Sequence, residues 1–310
     1  MELAVRAGGN FESYRMILPK YILKVIFFSL CLLPLYISAQ TGNKSLQISD
    51  TLKTESKGSS HALYAGAGYG SNMICLGSTI SQDQPYSYGS LSYGFRNELY
   101  ATVSAVHLSE LTPYMAFYIG SLNYGHAFNK WFDISAGVYR YQVIPSLSDT
   151  LFSSFTYCDL TLGFDWKIIY TKISASGLFS EENQAYFQFR NSKYFQTQEF
   201  LKGKANISFD PYVNLLFGTL VDVETSTETN VVVSSPGRKW KNKKQGTTTY
   251  TSYSKRFGLM EADFGIPIAF NTDFMTVEVE PSYIIPFYDD TYFSGTKGFI
   301  FQVSLFFRIF

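Results

Sequence analysis

The sequence predicts an all-β protein, an antiparallel up-and-down β-barrel of about 12 strands that crosses a membrane. Three observations predict it. From residue 297 onward Phe299, Phe301, Val303, Leu305, Phe307 and Ile309 hold every second position, with Gln302, Ser304 and Arg308 between them. An extended chain of that pattern shows one apolar face and one polar face. Aromatic residues make up 18% of the chain and charged residues only 16%, against roughly 25% charged in an ordinary globular domain, so much of the surface faces something other than water. From residue 62 onward, strand-like stretches are separated by gaps of two lengths that take turns.

The alternatives are weaker. No run after residue 40 approaches the roughly 20 apolar residues a membrane helix needs. A soluble β-sandwich would alternate too, but would expose charge more densely and would need no strict rhythm of loops. Formal net charge is zero, so nothing points to a nucleic-acid partner.

At the amino terminus Lys20 and Lys24 precede an apolar run over residues 25–37, and Ile37-Ser38-Ala39 offers small residues for cleavage before Gln40. This is a secretory signal peptide pattern over residues 1–39, with a hydrophobic region too short to span as a helix. Met16 is an alternative start, since residues 1–15 add a polar stretch an export signal does not need. Cys31 lies inside the run between Leu30 and Leu32, a setting unlike a lipid-attachment site. Residues 40–60 are polar and read as a disordered leader. Cys75 and Cys158 fall in different expected strands and form no disulfide framework.

Expected strands cover residues 62–80, 86–95, 99–108, 114–128, 131–143, 151–164, 168–179, 185–196, 205–221, 247–270, 274–285 and 297–309. The short gaps, 96–98, 129–130, 165–167, 201–204 and 271–273, carry Asn, Asp or Gly and suit tight hairpins. The long gaps are 82–85, 109–113, 144–150, 180–183, 222–246 and 286–295. Alternation is clear in the eleventh strand, where Met275, Val277, Val279, Tyr283 and Ile285 oppose Thr276, Glu278, Glu280 and Ser282. It is equally clear in the sixth, where Leu160, Leu162 and Phe164 oppose Tyr157, Asp159, Thr161 and Asp165. The first strand is the weak one, because Gly66, Gly68 and Gly70 leave little side chain.

With an export signal, an alternating closing strand and this rhythm of gaps, the chain resembles the porin-like outer-membrane β-barrel proteins of Gram-negative bacteria. The resemblance implies apolar residues outside, polar residues inside, short turns in the periplasm and long loops outside the cell. It also implies residence in the outer membrane, contact with outer-membrane lipid and lipopolysaccharide, and assembly by the barrel assembly machinery. One departure stands out: the apolar file of the last strand runs through Phe307 and Ile309, one residue out of step with the final aromatic, Phe310. Phe310 is therefore expected just beyond the last lipid-facing pair, at the periplasmic rim.

The candidate lumen residues are Asp133, Asp159, Asp165, Lys172, Arg190, Glu261, Asp263, Glu278 and Glu280, with Asp210 and Arg308 beside them. Such a lumen would be acidic overall, and rings of side-chain charge select solutes in pores. The leading expectation is a barrel that passes or binds small polar solutes. The alternative is a structural or interaction subunit that docks an envelope protein partner through the loop over residues 222–246, where Arg238, Lys239, Trp240, Lys241, Lys243 and Lys244 cluster.

A third reading is enzymatic. His107-Leu108-Ser109 is similar in spacing to the His-x-Ser pair of outer-membrane phospholipase A and lipid A deacylase, which implies His107 as base and Ser109 as nucleophile of a lipid hydrolase. Glu110 and Leu111 stand where the phospholipase pattern has Asn-Gly, and Asn123 is a loose third member. With His61, His107 and His126 the only histidines, no metal site is expected. The expectation overall is a non-enzymatic barrel without a cofactor.

Overall fold

The structure is a computed structural model that describes residues 60–225, 229–233, 251–288 and 297–310. Lipid offers a backbone N–H or C=O no partner, so strands that cross it must all be paired. The chain meets this condition by closing on itself. After β1 (His61–Gly70) come a small hairpin, β2 (Ile74–Cys75) and β3 (Ser78–Thr79), and then β4 (Tyr86–Phe95). There follow β5 (Leu99–Leu108), β6 (Phe117–Ala127), β7 (Phe132–Val143), β8 (Phe155–Asp165), β9 (Tyr170–Phe179) and β10 (Gln184–Ser192). The second part holds β11 (Phe195–Gln196), β12 (Ala205–Phe209), β13 (Tyr212–Thr225), β14 (Thr229–Val233), β15 (Thr251–Gly265), β16 (Ile268–Thr272), β17 (Met275–Pro286) and β18 (Gly298–Arg308).

Neighbouring strands are antiparallel, and β18 pairs with both β17 and β1, which closes a barrel of 12 staves. The stave count needs one physical comment. β12 and β13 are two halves of one stave, broken at Asp210-Pro211, and β15 and β16 are halves of the next, broken at Ile266-Pro267. A proline has no N–H to give to a ladder, so each stave bends there and resumes. The seam runs from Tyr64 opposite Arg308 to Gly70 opposite Gln302. Leu63 N donates to Phe310 O at 3.1 Å and Ile309 N to Leu63 O at 2.8 Å, so the last residue belongs to the ladder by its backbone while its ring lies exposed beyond the strand.

The tight turns fall where Asn, Asp and Gly put them. Arg96 and Asn97 both adopt positive φ, 54° and 55°, the twist that a two-residue hairpin requires. Two expected strands differ from what forms. The first ends at Gly70 rather than residue 80, and residues 71–84 turn inward as the β2–β3 hairpin with Met73, Ile74, Leu76 and Ile80 buried. The sixth starts at Phe155, and Leu151 and Phe152 before it are buried in a loop. Apolar residues are satisfied by an interior as well as by lipid, so composition does not separate these cases. The expected loop over residues 222–246 begins as strand, since β13 continues to Thr225 and β14 pairs with its outer end. The signal peptide at 1–39, the leader at 40–60 apart from Ser60, and the loop cluster Arg238, Lys239, Trp240, Lys241, Lys243 and Lys244 lie outside the described residues.

Alternation decides which side each residue takes. Along β7, Ser135, Tyr139, Tyr141 and Val143 are buried while Ala136, Val138 and Arg140 are exposed. The outward face carries exposed aromatics at both ends: Phe128, Trp131, Trp166 and Phe274 near the short turns, and Tyr114, Tyr118, Phe287 and Phe299 near the long loops. Paired aromatic girdles of this kind mark the two interfaces of a bilayer.

The glycines of β1 solve a packing problem on the inner wall. A Cβ at Gly66 would sit 2.8 Å from the Phe306 ring, and those at Gly68 and Gly70 would fall on the rings of Tyr88 and Tyr86. Each glycine is the bed of an aromatic ring from a neighbouring strand, an arrangement that shields glycine backbone in a sheet. Gly68→Val should drive the Tyr88 ring off its bed and break its 2.9 Å bond to Ser304 Oγ. The expected cost is about 1–3 kcal/mol, the usual range for overpacking, read as a lower urea midpoint for the refolded barrel; an unchanged midpoint would contradict this nesting.

Candidate functional site in the barrel interior

The interior has two chemically different halves. Near the long loops, Tyr86 and Tyr88 of β4, Val106 and Leu108 of β5, Phe117 of β6, Tyr141 of β7, Phe155 of β8 and Leu178 of β9 form one apolar cluster with the inward hairpin. Met73, Cys75, Leu76 and Ile80 are the hairpin's share of that cluster. This end of the barrel is filled by side chains.

The hairpin is held by polar bonds at its base and its tip. Asn72 is the hub: its amide nitrogen donates to Asp83 at 2.9 Å, and its amide oxygen accepts from Thr79 and Ser81, both at 2.7 Å. Gln82 donates to Thr150 O at 2.5 Å, tying the hairpin to the loop between β7 and β8. At the tip, the Tyr288 hydroxyl donates to Gly77 O at 2.6 Å. Gly77 has φ of 80° and lies over Met260, Leu216 and Glu261, where a Cβ would stand 3.0 Å from Met260. Burial pushes the Cys75 thiol up to about 12, and the nearby Glu261 carboxylate pushes the same way against a bond from Tyr141.

Toward the short turns the wall is polar and charged. Glu278 and Glu280 of β17 lie near the short turn, while on β15 Glu261 and Asp263 are buried higher up the wall, opposite Pro286 and Ile284, with Asp263 only 1% exposed. Tyr212 OH donates to Glu280 at 2.6 Å, and the Arg190 guanidinium lies 3.7 Å over the Tyr212 ring and 3.8 Å from Asp210. Lys172 is buried on β9 directly across from Arg190 on β10, with its ammonium 5.7 Å from the Tyr170 ring centre. Asp133 accepts from Tyr170 OH with both oxygens, at 2.9 and 2.7 Å. Asp159 accepts from Thr161 at 3.4 Å through one oxygen, while its other oxygen and the hydroxyl of Ser176, its neighbour on β9, are buried without a hydrogen bond. Between the hairpin and this wall lies a cavity of about 20 Å³ lined by Asn72, Tyr86, Glu280, Ser282 and Gln302, room for a water-sized group.

Strand parity thus turns Asp133, Asp159, Lys172, Arg190, Glu261, Asp263, Glu278 and Glu280 toward the interior, from β7, β8, β9, β10, β15 and β17 and at different heights. Asp165 is the exception. It is exposed at the β8–β9 turn, where its carboxylate accepts from Lys167 N at 2.7 Å, so its inward parity is spent at the end of the strand. Tyr212, Tyr170 and Asn72 were not foreseen. The first two were legible, because even positions of β13 and β9 face inward and a tyrosine there brings a hydroxyl to the carboxylates.

His107 and Ser109 do not form a base–nucleophile pair. His107 Nδ1 is 2.5 Å from Tyr114 O with the two rings stacked, and Ser109 Oγ donates to Pro85 O at 2.9 Å. Each side chain is occupied by a different main-chain carbonyl. Among the described residues no cluster of His, Cys, Asp and Glu is set to hold a metal.

No protein-family model matches the chain, and no curated protein matches it. Solved barrels do. The NanC porin aligns with 79% of this chain and 99% of its own at 10% identity and a TM-score of 0.41. LpxR from Salmonella typhimurium covers the same shares at 7% identity and 0.41, and a bacterial polysaccharide outer membrane secretin covers 81% and 98% at 8% and 0.39. The chain is a membrane-spanning β-barrel of the outer-membrane type. The expectation that the chain is not an enzyme is corrected here, since a barrel of this architecture excludes no catalysis.

If the hairpin seals the outer end, Cys75 should be silent. With Cys31→Ser and Cys158→Ser to leave Cys75 the single thiol, the folded barrel should take up a water-soluble maleimide at pH 8 at least tenfold more slowly than the urea-unfolded chain, because a thiol raised to about 12 offers almost no thiolate. Equal labelling rates would show that the hairpin does not bury it.

Proposed function

We propose that this outer-membrane barrel binds and passes small polar solutes that carry positive charge, and that the inward hairpin closes its outer end. The observation that carries this reading is a file of inward carboxylates spread along two neighbouring strands, Glu278 and Glu280 nearer the short turns on β17 and Asp263 and Glu261 higher on β15, opposite Ile284 and Pro286. Buried carboxylates lower the energy of a cation that replaces their missing solvent, and repel anions in the same low-dielectric space. The apolar cluster around the inserted hairpin supports closure at rest, because a path lined by packed side chains carries neither water nor ions.

Planar-bilayer recording tests both halves of the reading. The intact barrel should conduct rarely, and a barrel with residues 71–84 replaced by a short Gly-Ser turn should conduct steadily with a preference for cations. Adding Glu278→Gln and Glu280→Gln to the opened barrel should bring that preference close to parity. An opened barrel that folds but stays silent, or that favours anions, would overturn the proposal.

A second reading has its own support. Beyond Phe217, β13 leaves β10 and pairs with β14 on one side and β15 on the other, up to Thr225 opposite Thr251. That sheet extends the outer end of the barrel and could serve an envelope partner. It predicts a specific protein that co-purifies with the intact barrel and is lost when residues 226–250 are trimmed; retention of that protein after trimming would end this reading.

A further inference from the structure

The outward face of the barrel is apolar or aromatic over most of its height, and Arg140 breaks the rule. It lies exposed on β7, among Val138 and Ala136. Its place along its own strand sets its height: Arg140 is three residues short of Val143, the last residue of β7 before a long loop. The guanidinium therefore sits at the level of the outer leaflet's headgroups. It is not placed there by accident of rotamer. Nη1 donates to Thr156 Oγ1 at 3.2 Å and Nη2 to Gln142 Oε1 at 3.2 Å, while Gln142 in turn donates to Ser154 Oγ at 3.1 Å. These outward-facing groups hold a planar cation in one orientation with neutral acceptors alone, and among the described residues no carboxylate pairs with it.

The surroundings leave space for an occupant. Gly120 is directly across from Arg140 on β6, and a Cβ there would meet nothing within 4 Å. Tyr118, opposite Gln142 on the same strand, stands exposed at the edge of this dent and brings a hydroxyl to headgroup level. A charge facing lipid without a counter-charge from its own chain is expensive, and an anion from the lipid is the partner that removes the expense. A guanidinium with free forked donors matches phosphate geometry better than any other side chain.

We propose that Arg140, with Gly120 and Tyr118 beside it, is a binding site for a phosphorylated glycolipid of the outer leaflet. The phosphate takes the guanidinium's remaining N–H groups, and the sugar to which it is attached rests in the dent over Gly120.

The test uses full-length barrel in a neutral detergent, with bis-phosphorylated lipid A, dephosphorylated lipid A and phosphatidylglycerol as probes, and native mass spectrometry as the readout. Arg140→Gln should weaken retention of phosphorylated lipid A about tenfold, the loss of one charge-assisted contact, and Gly120→Leu should weaken it with the charge intact. Wild-type retention of dephosphorylated lipid A should match that of Arg140→Gln for the phosphorylated form. Phosphatidylglycerol should be held no better by wild type than by the variant. Folding of each variant is checked by its heat-modifiable mobility on a gel, and Arg140→Lys, which keeps the charge without the fork, should fall between. The proposal is overturned if wild type and Arg140→Gln retain phosphorylated lipid A alike, if removing the phosphates changes nothing, or if phosphatidylglycerol follows the same pattern as lipid A.

Discussion

Everything in this molecule follows from the absence of water around its backbone. In hydrocarbon an unpaired N–H or C=O costs several kcal/mol, so the first and last strands cannot be left as edges. The pairing of β1 with β18, reinforced by the two bonds between Leu63 and the residues at 309 and 310, is the point at which that debt is cleared. Once the ring is closed, side chains must sort by parity. What faces out must suit lipid, and what faces in must fill or wet a cylinder of fixed width.

The interior shows how one cylinder can be used in two ways. Its outer half is filled as a soluble protein's core is filled, by interlocking Tyr, Phe, Leu and Met around an inserted hairpin. Its inner half keeps charge, and keeps it organised: tyrosine hydroxyls from Tyr212 and Tyr170 bind carboxylates, and Arg190 is steered by a ring and an acid together. Acids on neighbouring strands repel one another, and the Tyr212 hydroxyl on Glu280 and the Arg190 guanidinium beside Asp210 offset that repulsion.

Much of this was legible beforehand, and the failures have physical causes. Strand number, turn positions and the inward or outward face of nearly every residue follow from period-2 patterning and from Asn, Asp and Gly in the short gaps. The location of the acidic wall follows from the same parity. The inward hairpin did not, because Met73-Ile74-Cys75-Leu76 reads as one more apolar strand, and only its register with the barrel reveals that it has turned inside. The bends at Pro211 and Pro267 were announced by the prolines themselves, but which half of each stave keeps which partner is a matter of tertiary geometry. Arg140 was visible as a charge at an outward position. Its meaning required Gly120 across from it and Thr156 and Gln142 to fix it, and those are facts of neighbouring strands.

The glycine beds of β1 carry a consequence for descent. A ring at position 88 can stay only while position 68 remains bare, and a side chain can enter at 68 only when the ring has gone. The two positions are 20 residues apart in sequence and directly opposed across β1 and β4, and they form a single heritable unit. Neither residue is free to drift alone, so in related chains the two should change in the same step, and the ring and its bed should sometimes be found exchanged between the strands.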